Sequence, residues 1–218
     1  MKKSKVIIVA GMLALSAIGI MIASNMQQPS LPELTTAYVQ PKPITLPPFS
    51  LGDNQEYTNA LFKDKWSLVF FGYASCPDIC PTELYNLNNV ANIIADTGKT
   101  MPQVVFISVD PQRDNNEMLT SYAHFYNDDF IGITGSTAEI DKLVASFGVI
   151  YQKTFIATNG KYVSVPYTSP LPEDQRMSYL INHSSRVYLV NPQGQYVAAF
   201  APPHSAKKIA EDLLRLQE

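Results

Sequence analysis

The sequence lacks any stripe in which basic residues alternate with aromatic ones, and it lacks internal repeats. The first absence argues against nucleic acid as a partner, and the second argues against a repeat architecture. Charged residues make up only 16% of the chain and hydrophobic residues 46%, which is typical of a globular domain rather than a disordered one. Because 218 residues are too few for two large domains, we expect one well-packed domain.

Acidic residues are absent from the first 24 positions, which carry three lysines. Residues 6–24 form an uncharged run that would span about 28 Å as a helix, close to the hydrocarbon thickness of a bilayer. Lysines precede this run and none follows in the next fifteen residues, so we expect residues 1–5 in the cytoplasm and the remainder outside it. The pattern predicts a single-pass anchor in a bacterial inner membrane with the C-terminal domain in the periplasm. A signal peptide cleaved after Ser24 is the alternative.

Proline is concentrated after this segment. Residues 25–49 contain six prolines, which predicts an extended tether that holds the domain away from the membrane. The folded domain is then expected over residues 50–218.

Within that domain, strand-like and helix-like segments alternate. Buried strands are predicted at two apolar runs, 66–73 and 103–110. Helices are predicted from spacing and capping signals at 81–97, 114–127, 136–147 and 205–217. Two hairpins are predicted by turn sequences, Asn159-Gly160 within 153–165 and the turn 191–194. This order predicts an α/β fold with a mixed central sheet flanked by helices and an inserted hairpin.

Both cysteines of the chain, Cys76 and Cys80, lie in the stretch FGYASCPDICPTEL, between a predicted strand and a predicted helix. A disulfide between them would close a very short loop and add little stability. Free backbone N–H groups and the helix dipole at this point should lower the thiol pKa values. Low-pKa thiols suit both disulfide exchange and soft metals, so the spacing alone leaves a redox pair and a metal site open.

A third ligand would have to be one of only three histidines. His124 lies in a predicted helix and His204 just before another, where packing, capping or solvent exposure is the expected role. His183 precedes the strand of the second hairpin. In thioredoxin-like folds the loop leading into that strand faces the cysteines, so His183 is the candidate ligand.

Four segments, in order, resemble the motifs of the Sco/SenC proteins, which are membrane-anchored, thioredoxin-fold copper proteins associated with assembly of cytochrome c oxidase. The segments are FGYASCPDICPTEL, SVDPQRDNNEMLTSYAHF, GITGS and INHSSRVYLVNPQG. The resemblance runs from about Pro43 to the C-terminus. One departure is Ser75, where many members have histidine.

The resemblance implies that Cys76, Cys80 and His183 bind copper, as Cu(I) and as Cu(II), since thiolates suit Cu(I) and an added imidazole supports Cu(II). It also implies a copper chaperone that takes copper from a periplasmic donor. Its target would be the dinuclear copper centre of cytochrome c oxidase subunit II. The alternative is a thiol–disulfide reductase in which Cys76 and Cys80 are catalytic. Whether the chain is an enzyme therefore stays open.

Acidic and basic residues near these motifs are expected to hold the metal ligands in position without binding the metal themselves. Asp110, Arg113 and Asp114 form a DPxRD motif, in which Asp114 is also expected to cap a helix. Asp78 lies between the cysteines, where it could repel thiolates or contact a copper-delivering protein. Met101, Met118 and Met177 are scattered, and this argues against a methionine-rich copper site.

Overall fold

A computed structural model describes residues 34–53 and 55–217. Its centre is a six-stranded mixed sheet. In spatial order the strands are β1 (Ala37–Thr45), β11 (Gln195–Phe200), β10 (Val187–Val190), β4 (Ser67–Gly72), β5 (Gln103–Ser108) and β6 (Ile131–Ile133). Strands β4, β5 and β6 are parallel, and the pairings of β10, β11 and β1 are antiparallel.

Four helices accompany this sheet: α1 (Ile79–Ala95), α2 (Asn116–His124), α3 (Thr137–Phe147) and α4 (Ala206–Leu216). Helices α1 and α4 pack against each other. A small antiparallel hairpin, β2 (Ser50–Leu51) with β3 (Tyr57–Thr58), contributes Leu51 to the core. The expected mixed sheet flanked by helices is therefore confirmed.

The first parallel strands are hydrophobic on both faces because the sheet is covered on both sides. Every residue of β4, sequence SLVFFG, is buried, as are all but the first residue of β5. Such unbroken apolar runs are typical of parallel strands between helices. Since the carboxyl ends of parallel strands meet at one edge, the loops after β4 and β5 lie side by side.

Capping confirms one predicted helix start and corrects another. The Ser136 side chain accepts a hydrogen bond from the backbone N–H of Glu139 at the start of α3, as the sequence predicts. At the start of α2 the cap is Asn115, whose side chain accepts from the N–H of Met118. The prediction that Asp114 caps this helix was wrong, because its carboxylate is turned toward β4 and β5 instead.

The predicted hairpin around Gly160 is confirmed and extends into a second sheet. Strand β7 (Tyr151–Ile156) pairs with β8 (Tyr162–Pro166) and with β9 (Leu180–His183), all antiparallel. No sequence pattern predicted the third strand, β9, which is only four residues long. The turn 191–194 joins β10 to β11 as predicted, with Gly194 at a φ of 75°.

Residues 34–49, the described part of the segment assigned to the tether, belong to the folded domain. Residues 37–45 form the edge strand β1, which pairs with β11, so the domain begins before the predicted boundary at residue 50. Prolines occur here because an edge strand tolerates a missing N–H donor. Residues 25–33 of the predicted tether lie outside the described residues. The predicted anchor at 6–24 lies outside the described residues. Among residues 34–53 and 55–217 no helix has the length and apolarity needed to cross a membrane.

Candidate metal centre

Three elements bring the cysteines and His183 together. Cys76 lies in the loop after β4, Cys80 is in the first turn of α1, and His183 ends β9. Cys80 is buried, whereas Cys76 and His183 are partly exposed. The ligand atoms of the three side chains all lie within 4.8 Å of one another. Among the described residues this is the only such group of histidine, cysteine and acidic side chains.

The imidazole of His183 is held with one nitrogen toward the sulfurs. Its Nε2 is 3.7 Å from the Cys80 Sγ, and its Nδ1 is 3.1 Å from the carbonyl oxygen of Ser184. A proton on Nδ1 can be donated to that carbonyl, which leaves the lone pair of Nε2 for a metal. The rings of Phe70 and Tyr73 approach His183 edge-on, with centroids 6.2 and 6.1 Å from the imidazole centroid.

The two cysteines have opposite acid–base properties. The pKa of Cys76 is strongly lowered, chiefly because the Cys80 thiol donates a hydrogen bond to it. Burial opposes this shift, and hydrogen bonds from His183 and from the backbone N–H groups of Asp78 and Cys80 favour it. The Cys80 N–H lies 3.4 Å from the Cys76 Sγ. The pKa of Cys80 is strongly raised by that same hydrogen bond with Cys76, and burial and the Cys76 charge add to the rise.

Glycine at the end of β4 makes room for the buried sulfur. A Cβ atom at Gly72 would lie 2.6 Å from the Cys80 Sγ and 2.7 Å from a ring carbon of Phe106. Real Cβ atoms do not approach other atoms so closely, so Cys80 keeps this position only because residue 72 has no side chain.

A cavity of about 450 Å³ is lined by Cys76 and His183. The cysteine loop and the β7–β8–β9 sheet form its two walls, and Ile79 and Leu180 at its rim are exposed. The centre is therefore accessible from one side, next to apolar surface.

The DPxRD residues lie around the site without joining the ligand group. Asp114 accepts hydrogen bonds from the N–H of Ala74 at 2.9 Å and from the hydroxyl of Ser108, and so connects the cysteine loop to β5. Burial raises the pKa of Asp114, partly offset by those two hydrogen bonds. Asp78 is exposed, and its side chain makes no capping hydrogen bond to α1.

Asp110 is fully buried and pairs with Arg113. Its Oδ2 is 2.5 Å from the Arg113 Nε, and its Oδ1 accepts from the hydroxyls of Tyr167 and Tyr179. The Arg113 guanidinium stacks on the Tyr179 ring at 3.7 Å and lies 5.7 Å from the Tyr73 ring centroid. Since Tyr73 adjoins His183, this network supports the wall of the site.

Sequence reasoning missed one buried pair. His204 was expected to be capping or exposed, but its Nδ1 pairs with the carboxylate of Glu83 in α1, and the two side chains are 5% and 9% exposed. Glu83 follows Cys80 by one helical turn, and this position on the buried face of α1 is the signal that was available. His124 is exposed, as expected.

Comparison with known sequences identifies related proteins. The family described as SCO1/SenC matches residues 38–218. The chain is 30% identical over 176 residues to the human mitochondrial SCO1 homologue, covering 79% of this chain and 52% of that protein. It is 34% identical over 166 residues to a SCO2-like protein of Rickettsia prowazekii, covering 75% and 73%. The chain thus spans about half the length of the human relative.

Solved structures agree with the sequence matches. Arabidopsis thaliana ScoI with copper bound has a TM-score of 0.65 and 31% identity, covering 78% of this chain and 97% of that one. Yeast Sco1 with copper bound has a TM-score of 0.66 and 28% identity, covering 79% and 87%.

Proposed function

This chain belongs to the SCO1/SenC family, and we propose that it is a copper chaperone that binds one copper ion through Cys76, Cys80 and His183. In this proposal it delivers the ion to the dinuclear copper centre of cytochrome c oxidase subunit II during assembly of the oxidase. The observation that carries the proposal is the convergence of two sulfurs and one imidazole nitrogen within 4.8 Å. Copper-bound relatives with the same fold support it.

The donor set suits an ion that must be held and then released. Two thiolates favour Cu(I), and the imidazole adds a ligand that Cu(II) prefers. Three protein ligands leave a coordination position free for a ligand from the target. Because Cys76 and His183 are partly exposed beside the open cavity, ligands of a docked partner can replace them one at a time. Buried Cys80 would then be the last to release the ion.

The DPxRD residues are proposed to position these ligands. Asp114 holds the backbone at Ala74, two residues before Cys76, and Asp110 with Arg113 holds the Tyr73–Tyr179 side of the site. Asp78, exposed between the cysteines, is proposed to face the donor or the target.

The cellular setting follows from the sequence. Residues 6–24 are proposed as a membrane anchor and the domain from residue 34 onward as periplasmic. There it would receive copper from a donor protein and meet subunit II.

A second function is favoured by the unequal thiols. A low-pKa, partly exposed Cys76 beside a high-pKa, buried Cys80 is the arrangement of an attacking thiolate and a resolving thiol. The same residues could therefore reduce a disulfide in subunit II before copper arrives. This reductase would need both cysteines but not His183.

Copper loading of the reduced full-length chain tests the proposal. Cu(I) and Cu(II) are added separately, excess metal is removed with a competing chelator, and the retained copper and the thiolate-to-Cu(II) absorption are measured. We expect one copper per chain and a charge-transfer band that is lost in His183→Ala but kept in His124→Ala, the exposed control. Transfer of the metal to a soluble subunit II domain is then followed by the absorption of its copper centre.

Two results would separate the functions. Copper retention that does not depend on His183 argues against the three-ligand centre. If the chain retains no copper but reduces the disulfide of oxidised subunit II, the reductase is the function.

A further inference from the structure

A second cavity lies apart from the sulfurs, between the DPxRD loop, strand β7 and the segment 168–177. Its volume is about 460 Å³, within the range of small-molecule sites. Its polar lining consists of Gln112, Arg113, Lys153, Thr168, Ser169 and Arg176. Among the described residues, no acidic side chain lines it.

Lys153 is the most unusual of these side chains. It is only 3% exposed, and its ammonium donates a hydrogen bond to the amide oxygen of Gln112 at 2.9 Å. The ammonium also lies over two aromatic rings, 4.6 Å from the Tyr167 centroid and 5.1 Å from the Tyr179 centroid. Within the described chain it has no carboxylate partner at ion-pair distance. Buried lysines are normally paired with one.

Arg113 is the second cation of this cavity, and its hydrogen bonding is incomplete. Its side chain is 8% exposed, with Nε on Asp110 and Nη1 on the carbonyl oxygens of Met177 and Tyr179. The remaining nitrogen, Nη2, is buried and has no hydrogen-bond partner among the described residues. A buried guanidinium nitrogen without an acceptor costs free energy.

The lining of the cavity carries positive charge without a carboxylate. Lys153 and Arg113 contribute two cations to it, and the two buried carboxylates beside Arg113 lie outside the lining. Both Asp110 oxygens already accept hydrogen bonds, and Asp114 accepts from Ala74 and Ser108. Burial lowers the pKa of Lys153, and of its two charged neighbours Asp110 opposes this shift and Arg113 adds to it. Arg176 adds a third cation at the rim, where it is exposed and pairs with Glu173.

We propose that this cavity binds a small oxyanion, a molecule that presents a carboxylate or phosphate group to Lys153 and Arg113. The anion would bring a negative charge to a lining that has none and an acceptor to Arg113 Nη2, and the hydroxyls of Thr168 and Ser169 would donate to its other oxygens. Arg113 also supports the wall of the proposed copper site, but Lys153, Thr168, Ser169 and Arg176 have no part in the proposed copper binding.

Titration of the reduced, copper-free full-length chain with three probes tests the proposal, with amide chemical shifts as the readout. Inorganic phosphate and succinate distinguish a phosphate ligand from a carboxylate ligand, and neutral succinamide is the uncharged control. We expect saturable shifts at Gln112, Lys153 and Ser169 with at least one anion. The affinity should fall as sodium chloride is added, because the contact is ionic.

Three variants assign the binding to this cavity. Lys153→Met should weaken anion binding at least tenfold, and Arg176→Gln should weaken it several-fold without affecting folding, because that side chain is exposed. Lys161→Met, which replaces an exposed lysine of the same hairpin, is the matched control and should bind like the wild type.

The proposal is overturned if neither anion gives saturable shifts, or if succinamide gives the same shifts. It is also overturned if Arg176→Gln and Lys161→Met bind alike and Lys153→Met retains full affinity. If Lys153→Met does not fold, the comparison of Arg176→Gln with Lys161→Met decides.

Discussion

Cys76 and Cys80 are four positions apart, but their surroundings assign them different protonation states. Cys76 receives hydrogen bonds from Cys80, from His183 and from two backbone N–H groups, whereas Cys80 is enclosed by the core. Without metal, the centre therefore holds one thiolate and one thiol. In the proposed copper binding, an incoming cation would meet the partly exposed thiolate first, and the buried thiol would have to lose its proton to become the second ligand.

Alkylation should detect this inequality. In the reduced, copper-free chain, iodoacetamide should modify Cys76 and spare Cys80. Its rate should stay nearly constant between about pH 5 and pH 8, whereas an ordinary thiol loses about tenfold per pH unit below its pKa. Mass spectrometry of the two cysteines provides the measurement. Cys80→Ala removes the hydrogen-bond donor and should restore a steep pH dependence, and equal labelling of both cysteines would contradict the assignment.

Gly72 should control the copper affinity of the proposed site without touching the metal. In Gly72→Ala the new methyl would lie 2.6 Å from the Cys80 Sγ, so the sulfur must move away from the other ligands. We expect Cu(I) affinity, measured by chelator competition, to fall at least tenfold and the free energy of unfolding to fall by about 1–3 kcal/mol. Gly135→Ala is the matched control, since its methyl meets a Leu51 side-chain atom at the same distance. It should destabilise the chain and leave the copper affinity unchanged.

At this scale the sequence predicted which residues meet but not how their charges are arranged. His183 could be placed opposite the cysteines because strand order determines which loops adjoin. The prediction of a lowered pKa holds for Cys76, although the Cys80 thiol contributes more to the shift than the backbone N–H groups do. The same prediction was wrong for Cys80, whose pKa is raised by the hydrogen bond with Cys76 and by burial.

Helix α1 carries Cys80 and is fixed to the segment before α4 by the Glu83–His204 pair. Burial alone would lower the pKa of His204, but the hydrogen bond and charge of Glu83 outweigh it and raise the pKa above its ordinary value. A histidine that binds its proton more tightly in the folded state stabilises that state at low pH. This stabilisation is complete below the unfolded pKa of about 6.5 and is lost as the pH rises through the folded value.

Denaturant unfolding of the wild type and of the doubly neutral variant Glu83→Gln/His204→Gln tests this linkage. The difference in free energy of unfolding should favour the wild type most near pH 6 and decline toward pH 9. Its slope cannot exceed about 1.4 kcal/mol per pH unit for one proton. Lys207→Gln, an exposed neighbour in α4, should show no such trend. A difference that is flat from pH 6 to pH 9 would show that His204 carries no extra proton in the folded state.

Element types were predictable because apolar runs and capping signals are local. Three features could not be predicted because they depend on tertiary contacts. They are the orientation of the Asp114 side chain away from its helix, the third strand β9 and the edge strand β1. A proline-rich segment such as 37–45 looks like a linker by composition. Only the unpaired edge of β11 makes it a strand.

Across the whole molecule, the beginning and end of the domain are joined by one carboxylate. Asp212 in α4 accepts hydrogen bonds from the backbone N–H groups of Thr35, Thr36 and Ala37, at 2.9, 2.7 and 2.9 Å. These residues lead into β1, so the Asp212 hydrogen bonds fix the point at which the chain enters the sheet.

Asp212→Asn should loosen β1 and leave the copper site intact. The amide that replaces one carboxylate oxygen is a donor facing N–H donors, so we expect a loss of about 2 kcal/mol in the free energy of unfolding. Hydrogen exchange should accelerate at residues 37–39 while β4 and β5 remain protected.

Burial alone would raise the pKa of Asp212, but the hydrogen bonds from Thr35, Thr36 and Ala37 outweigh it and lower the pKa below its ordinary value. The advantage of the wild type should therefore be full above pH 4 and lost as the pH falls further. Unchanged hydrogen exchange in β1, or a loss of copper binding equal to that of Gly72→Ala, would contradict the inference that the Asp212 hydrogen bonds act only on this edge of the sheet.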